Sequence, residues 1–126
     1  MSNEELAKYR YSRARETLDE AVLLAEKNHW NAVANRLYYA CFYLVNAVLI
    51  KDDLSFDSHR GVKTEFHRSY IKTEKLTMKS GKLYGRLFNL RQEGDYADFK
   101  RYEAEDIEPF ITDVKEFFIE LETLLT

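Results

Sequence analysis

His29-Trp30-Asn31-Ala32-Val33-Ala34-Asn35-Arg36-Leu37-Tyr38-Tyr39-Ala40-Cys41-Phe42-Tyr43-Leu44-Val45-Asn46-Ala47-Val48-Leu49-Ile50-Lys51 decides the fold. Ala34, Leu37, Tyr38, Cys41, Leu44, Val45 and Val48 recur in steps of three and four, the period of one helix face. Tyr39, Phe42, Tyr43 and Leu49 load the other side. A helix apolar on more than one side is buried on more than one side. The stretch predicts a central helix, or one that also serves an interface.

Upstream, Ala7, Tyr11, Ala14, Leu18, Ala21, Val22 and Ala25 give a stripe over Asn3 to Lys27, with Ser2 and Glu5 as a capping box. Downstream, the turn Lys51 to Ser58 ends on a good N-cap, and a short helix is expected over His59 to Ile71 with Val62, Phe66 and Tyr70 inward. A polar link, Thr73 to Ser80, leads to a helix over Thr77 to Gln92 carrying Leu83, Leu87 and Leu90. Gly81 and Gly85 on it permit close backbone approach. Arg91 to Phe99 reads as a break, with Gly94 as a helix stop. The last helix is expected over Asp106 to Leu125, with Pro109 tolerated in its first turn. Ile107, Ile111, Val114, Phe118, Leu121 and Leu125 form its stripe, and Phe110, Phe117 and Leu124 a second apolar face that hints at an oligomer. The expected architecture is all-α: one domain, residues 1–126, an antiparallel up-and-down bundle of four long helices plus one short helix.

Composition agrees. The chain has 126 residues, 45% hydrophobic and 33% charged, enough for one core and too apolar for disorder. Four Gly and one Pro are too few for the turns of a sandwich or barrel. The single cysteine, Cys41, excludes an intrachain disulfide and a cysteine-built zinc site, and its place in an apolar stripe makes it a core residue. Met1 to Leu6 has no basic or apolar run, so no secretory signal is expected. Ala40 to Ile50 is too short for a bilayer, so no membrane span is expected and the location read is cytoplasmic.

Charge is uneven. Nine Lys/Arg and two acids lie between His59 and Arg91, a local +7 inside a chain of net −3. Such a block fits an anionic partner, or is a solvated connection between helices. Arg60, Lys63, Arg86 and Arg91 are its candidate phosphate or RNA contacts. No metal is expected, because Glu-x-x-His occurs once, at Glu26 to His29. No Gly-rich phosphate loop is present, and no cofactor is expected. In Arg91-Gln92-Glu93-Gly94-Asp95-Tyr96-Ala97-Asp98-Phe99, the arginine can point a planar fork at a phosphate, or pair locally with Glu93, Asp95 or Asp98. Asn35, Arg36, Tyr39, Tyr43 and Asn46 form a polar row on the second helix that can pack on this segment.

Asn35-Arg36-Leu37-Tyr38-Tyr39-Ala40-Cys41-Phe42, Ser58-His59-Arg60-Gly61-Val62 and Arg91-Gln92-Glu93-Gly94-Asp95-Tyr96, in this order and spacing, resemble the HEPN domain family. The resemblance covers the whole chain. It implies a helical bundle that pairs as a homodimer. It also implies a ribonuclease toxin encoded beside a minimal nucleotidyltransferase, or an inactive module binding RNA, a nucleotide or that partner. The family's nuclease motif is an Arg followed, after four to six residues, by a His. Arg91 stands at the Arg position and Tyr96 in the His slot. Metal-free RNA cleavage needs a base for the 2′-OH and a cation for the phosphate. A free tyrosine titrates near pH 10, a poor base at neutrality. A literal motif match, Arg60 with His67, lies at the wrong place in the family's order, and His59 is the other spare imidazole. The favoured expectation is therefore a binding module using Arg91, supported by Asn35, Arg36, Tyr39 and Asp95. The alternatives are a metal-independent endoribonuclease toxin using His59, His67 or Tyr96, and a structural adaptor.

Overall fold

The computed structural model describes residues 2–96 and 100–126. Helix α1 spans Asn3–Glu26, α2 Trp30–Lys51, α3 His59–Phe66, α4 Met78–Tyr96 and α5 Ala104–Glu122. α3 runs on as a π-helical turn, His67–Ile71, so the short element ends where the periodicity placed it but with a widened last turn. Ser2 accepts from the Glu5 N–H, and Ser58 from the Gly61 N–H, so both expected N-caps form.

Side-chain ties at the helix ends fix the directions. Asn3 reaches Asp53, joining the start of α1 to the end of α2. Tyr11 donates to Glu122, joining the first half of α1 to the end of α5. Lys51 donates to the Leu124 carbonyl at 3.1 Å, so α2 and α5 finish together. Lys79 meets Glu116 at 2.6 Å, which sets the start of α4 beside the end of α5. The four long helices therefore run up, down, up, down.

α2 is the central helix. Leu37, Tyr38, Cys41, Leu44, Val45 and Val48 are at most 1% exposed. Its faces are covered by α1, α4 and α5. Burial pushes the Cys41 thiol up, as suits an inert core residue. By length and composition α2 could cross a membrane, with mean hydropathy 1.3, which the shorter Ala40 to Ile50 reading missed. A core helix has the same composition, and 67% of that window is buried in the bundle. Tyr38, Phe66, Tyr84 and Phe117 form an aromatic centre, with Tyr84 5.2 Å from Phe66 and 5.9 Å from Tyr38.

Four expectations need correction. α4 does not stop at Gln92; it continues through Gly94 to Tyr96. Gly94 has no positive φ, and its function is close approach: a Cβ there would lie 2.9 Å from the Tyr102 ring. Residues 97–99, which carry the rest of the expected break and Asp98, lie outside the described residues, as does Met1. α5 starts at Ala104, so Pro109 falls in the second turn, where it has no N–H for the Glu105 carbonyl; Glu105 is exposed. Leu49 and Phe117 are core residues, so the surplus apolar surface read on α2 and α5 is smaller than expected.

Candidate functional site

Arg91 lies on the last turns of α4, facing the first half of α2. Its side chain is only 6% exposed. The guanidinium Cζ lies 4.8 Å above the Tyr38 ring, 5.6 Å from that of Tyr39 and 6.0 Å from that of Tyr96. Desolvated cation–π contacts of this kind are worth about 2 kcal/mol or more. Among the described residues its one ion-pair carboxylate, Asp95, stands 3.8 Å away, beyond hydrogen-bond reach. Among the described residues its Nε is buried without a hydrogen-bond partner. Arg91 is thus a buried cation whose charge is only loosely balanced.

Asp95 is held from the other side. Asn35 donates to it at 3.0 Å, and Arg36 donates to the Asn35 side-chain Oδ1 through Nε at 3.1 Å and Nη2 at 2.9 Å. Arg36 also pairs with Glu20 at 3.2 Å and lies 5.3 Å over the Tyr39 ring. Asn35, Arg36, Tyr39, Asp95 and Arg91 are therefore one connected cluster. Tyr43 belongs to its flank, with Arg13 5.2 Å over its ring. Asn46 turns back to the Phe42 carbonyl and takes no part. Glu93 makes no ion pair with Arg91 among the described residues.

The imidazole that reaches this cluster is His59. Ser58 starts α3 so that His59, its first residue, folds back over α2. Its Nδ1 lies 2.7 Å from the Tyr38 hydroxyl, and its ring stacks on Phe42 at 4.4 Å. Burial and the Arg91 charge hold its pKa below the usual histidine range. Burial pushes the Tyr38 hydroxyl up to about 12, with Arg91 opposing. The short-range signals for this meeting, an N-cap at Ser58 and a tyrosine in the core stripe, were present in the sequence. The partnership itself depends on how α3 returns.

The other candidates lie apart. His67 faces the Lys63 carbonyl at 2.9 Å and the Gly81 carbonyl at 3.0 Å, so both ring nitrogens are engaged between α3 and α4. No hydrogen bond or ion pair joins it to exposed Arg60 among the described residues, so the literal motif match does not form a unit. Lys63 lies 4.9 Å over Phe88 and Arg86 5.8 Å over Phe110. Within the basic block, Arg68 pairs with Glu65 and Lys79 with Glu116. The block is therefore spread over α3 and α4 and is not gathered at Arg91. Tyr96, in the expected His slot, is 74% exposed. A latch that sequence reading missed closes the cluster's far side: Asn31 accepts from the Tyr102 N–H at 2.8 Å and donates to the Lys100 carbonyl at 3.0 Å.

Comparison with known proteins agrees with the bundle. The HEPN domain model matches residues 7–124. A UPF0332 protein of Thermotoga maritima is 38% identical over 122 residues, which are 97% of this chain and 92% of that relative. A Methanocaldococcus jannaschii protein, whose name describes it as a candidate toxin, is 29% identical over 96 residues, 74% of this chain and 65% of its own length. A match over nearly the whole chain, joined to the five α-helices found among the described residues, fixes the assignment: the chain belongs to the HEPN domain family.

Proposed function

We propose that this chain is a toxin-like HEPN module that binds RNA by gripping a backbone phosphate at the Arg91 cluster, as one of a pair of copies. The observation that supports this most is the buried Arg91 guanidinium, which among the described residues has an Nε without a hydrogen-bond partner and its one ion-pair carboxylate, Asp95, at 3.8 Å. A buried charge is costly without a close counter-charge, and a phosphate supplies one in the planar geometry an arginine fork matches. Asp95, restrained by Asn35, stays 3.8 Å from the fork and leaves it without a close counter-charge. The family motif's His slot holds a tyrosine, a residue type that is a poor base at neutrality, so the reading is binding without cleavage. A minimal nucleotidyltransferase is the proposed protein partner, and a free nucleotide the proposed smaller ligand of the same fork.

Binding of a labelled single-stranded oligoribonucleotide tests the reading. Affinity should fall steeply with salt, and Arg91→Ala should weaken it about tenfold or more and lower the salt slope by about one. Unchanged affinity in Arg91→Ala would remove this site from consideration.

A second reading, metal-independent cleavage, is favoured by one observation: His59 sits against Tyr38 beside Arg91 and is held neutral. The same binding mixtures, incubated in EDTA, separate the two. Intact RNA supports the binding module. Cleavage by the wild type that disappears in His59→Gln supports the nuclease.

A further inference from the structure

Several exposed cations of the bundle stand beside acids: Lys8 with Glu4, Arg15 with Glu122 and Lys79 with Glu116. The face shared by α3 and α4 is built differently. Arg60 and Lys63 lie about one turn apart on α3, and Lys82 and Arg86 about one turn apart on α4. The two helices meet there: the Lys63 Nζ lies 4.9 Å over the Phe88 ring, its stem passes Gly85, and His67 reaches the Gly81 carbonyl at 3.0 Å. Among the described residues, none of these four cations has a carboxylate within 4.0 Å. Glu65, the acid on this stretch of α3, is buried and engaged by Arg68 and Ser69.

This arrangement works against the fold. Lys82 and Arg86 are like charges four apart on one helix, and they repel. Arg60 stands in the first turn of α3, which holds no acid, so its charge opposes the helix dipole. The chain has more acids than bases, yet it leaves this face without counter-charge. We infer that the α3–α4 face is a docking surface for an acidic segment of another protein. The inference goes beyond the phosphate reading at Arg91 and does not depend on it. Charge complementarity sets the partner's chemistry: carboxylates one helical turn apart, or two residues apart in an extended chain, recur every 5–7 Å or so, the spacing of the cations along each helix. Nucleic acid fits less well. The rings nearest these cations, Phe88 and Phe110, lie beneath Lys63 and Arg86 and offer bases no open face for stacking. A duplex is gripped across two successive grooves, whereas Lys82 and Arg86 span only about 6 Å along α4. A second copy pairing two-fold on this face would set the same cations against each other.

The probe is a labelled peptide of glutamate and alanine, with the same peptide carrying glutamine for every glutamate as its control. Wild type, Lys82→Glu, Lys63→Met, Lys8→Glu and Arg91→Ala are titrated at low salt. The glutamate peptide should bind the wild type, more weakly as salt is added, and the glutamine peptide should not bind. Lys82→Glu should weaken binding about tenfold, because it removes one attraction, adds a repulsion and pairs with Arg86. That same pair should raise the thermal midpoint slightly, so the loss is not unfolding. Lys63→Met keeps the stem over Phe88 and should weaken binding about threefold. Lys8→Glu and Arg91→Ala should bind like the wild type. If the glutamate peptide does not bind, or binds Lys82→Glu as tightly as the wild type, the inference is wrong. If Lys82→Glu keeps the peptide but weakens a labelled single-stranded oligoribonucleotide, the face belongs to RNA and the inference is overturned. If Lys82→Glu instead splits a pair of copies in sedimentation, the face joins copies and the inference is likewise overturned. RNA affinity unchanged in Arg91→Ala would remove the phosphate site and leave the acidic-segment surface standing.

Discussion

At His59 burial acts first and the Arg91 cation second, and both favour the uncharged imidazole. The folded pKa is therefore below the unfolded value of about 6.5. Above that value the group is neutral in both states and imposes no penalty. As pH falls through 6.5 and on through the lowered folded pKa, the unfolded chain takes the proton more readily, and stability is lost. Thermal midpoints of the wild type should drop more steeply between pH 7 and pH 5 than those of His59→Gln. Parallel curves would show that His59 is not so placed. At this scale the sequence was informative about Arg91, because an arginine near a helix end ahead of the last helix is a local feature. It offered His59 as one of three candidate bases but could not single it out, because its meeting with Tyr38 joins residues 21 apart through a turn whose path no periodicity encodes.

Helix α4 shows why one boundary was misread. Gly94 carries the same local signal whether it ends a helix in a left-handed turn or stays helical to admit a neighbour. Which one applies is set by Tyr102, eight residues on, whose hydroxyl donates to the Leu90 carbonyl at 2.7 Å and whose ring then lies against Gly94. Two of the three glycines of α4 make this measurable. In Gly85→Ala the new Cβ meets only the Lys63 stem at 3.8 Å, so the propensity gain of up to about 1 kcal/mol should appear as added stability. In Gly94→Ala the same gain opposes an overlap at 2.9 Å with a buried, hydrogen-bonded ring. Overpacking of this kind costs about 1–3 kcal/mol, so the net change should be a loss of about 1 kcal/mol. Urea unfolding of both variants checks the opposite signs. The helices themselves were legible because their stripes repeat over many turns. Leu49 and Phe117 were misplaced because a helix's second apolar face looks the same from sequence whether another helix or water covers it.

Across the molecule, the candidate site and the core share one helix. Tyr38 places one face of its ring within 4.8 Å of the Arg91 guanidinium while the residue itself is fully buried, 5.9 Å from Tyr84 at the aromatic centre. Loops carry most binding sites, and loops open at little energetic cost. A site built on the central helix cannot open without disturbing α1, α4 and α5 together. RNA binding and global structure should therefore be lost in one transition. Leu44 tests this from a distance: it is fully buried on α2, two turns from Tyr38, and makes none of the cluster's contacts. Leu44→Ala should cost about 2–5 kcal/mol. That is a large part of the 5–15 kcal/mol typical of a domain, yet it leaves a folded fraction to measure. The expected result is that urea midpoints followed by helical circular dichroism and by RNA affinity shift together in the variant, with affinity at zero denaturant near that of the wild type. Pairing of copies would add a dependence of both midpoints on protein concentration, equally for the two probes. Loss of RNA affinity well before loss of helix would mean that the Arg91 cluster opens on its own, and the coupling of site to core argued from α2 would be wrong.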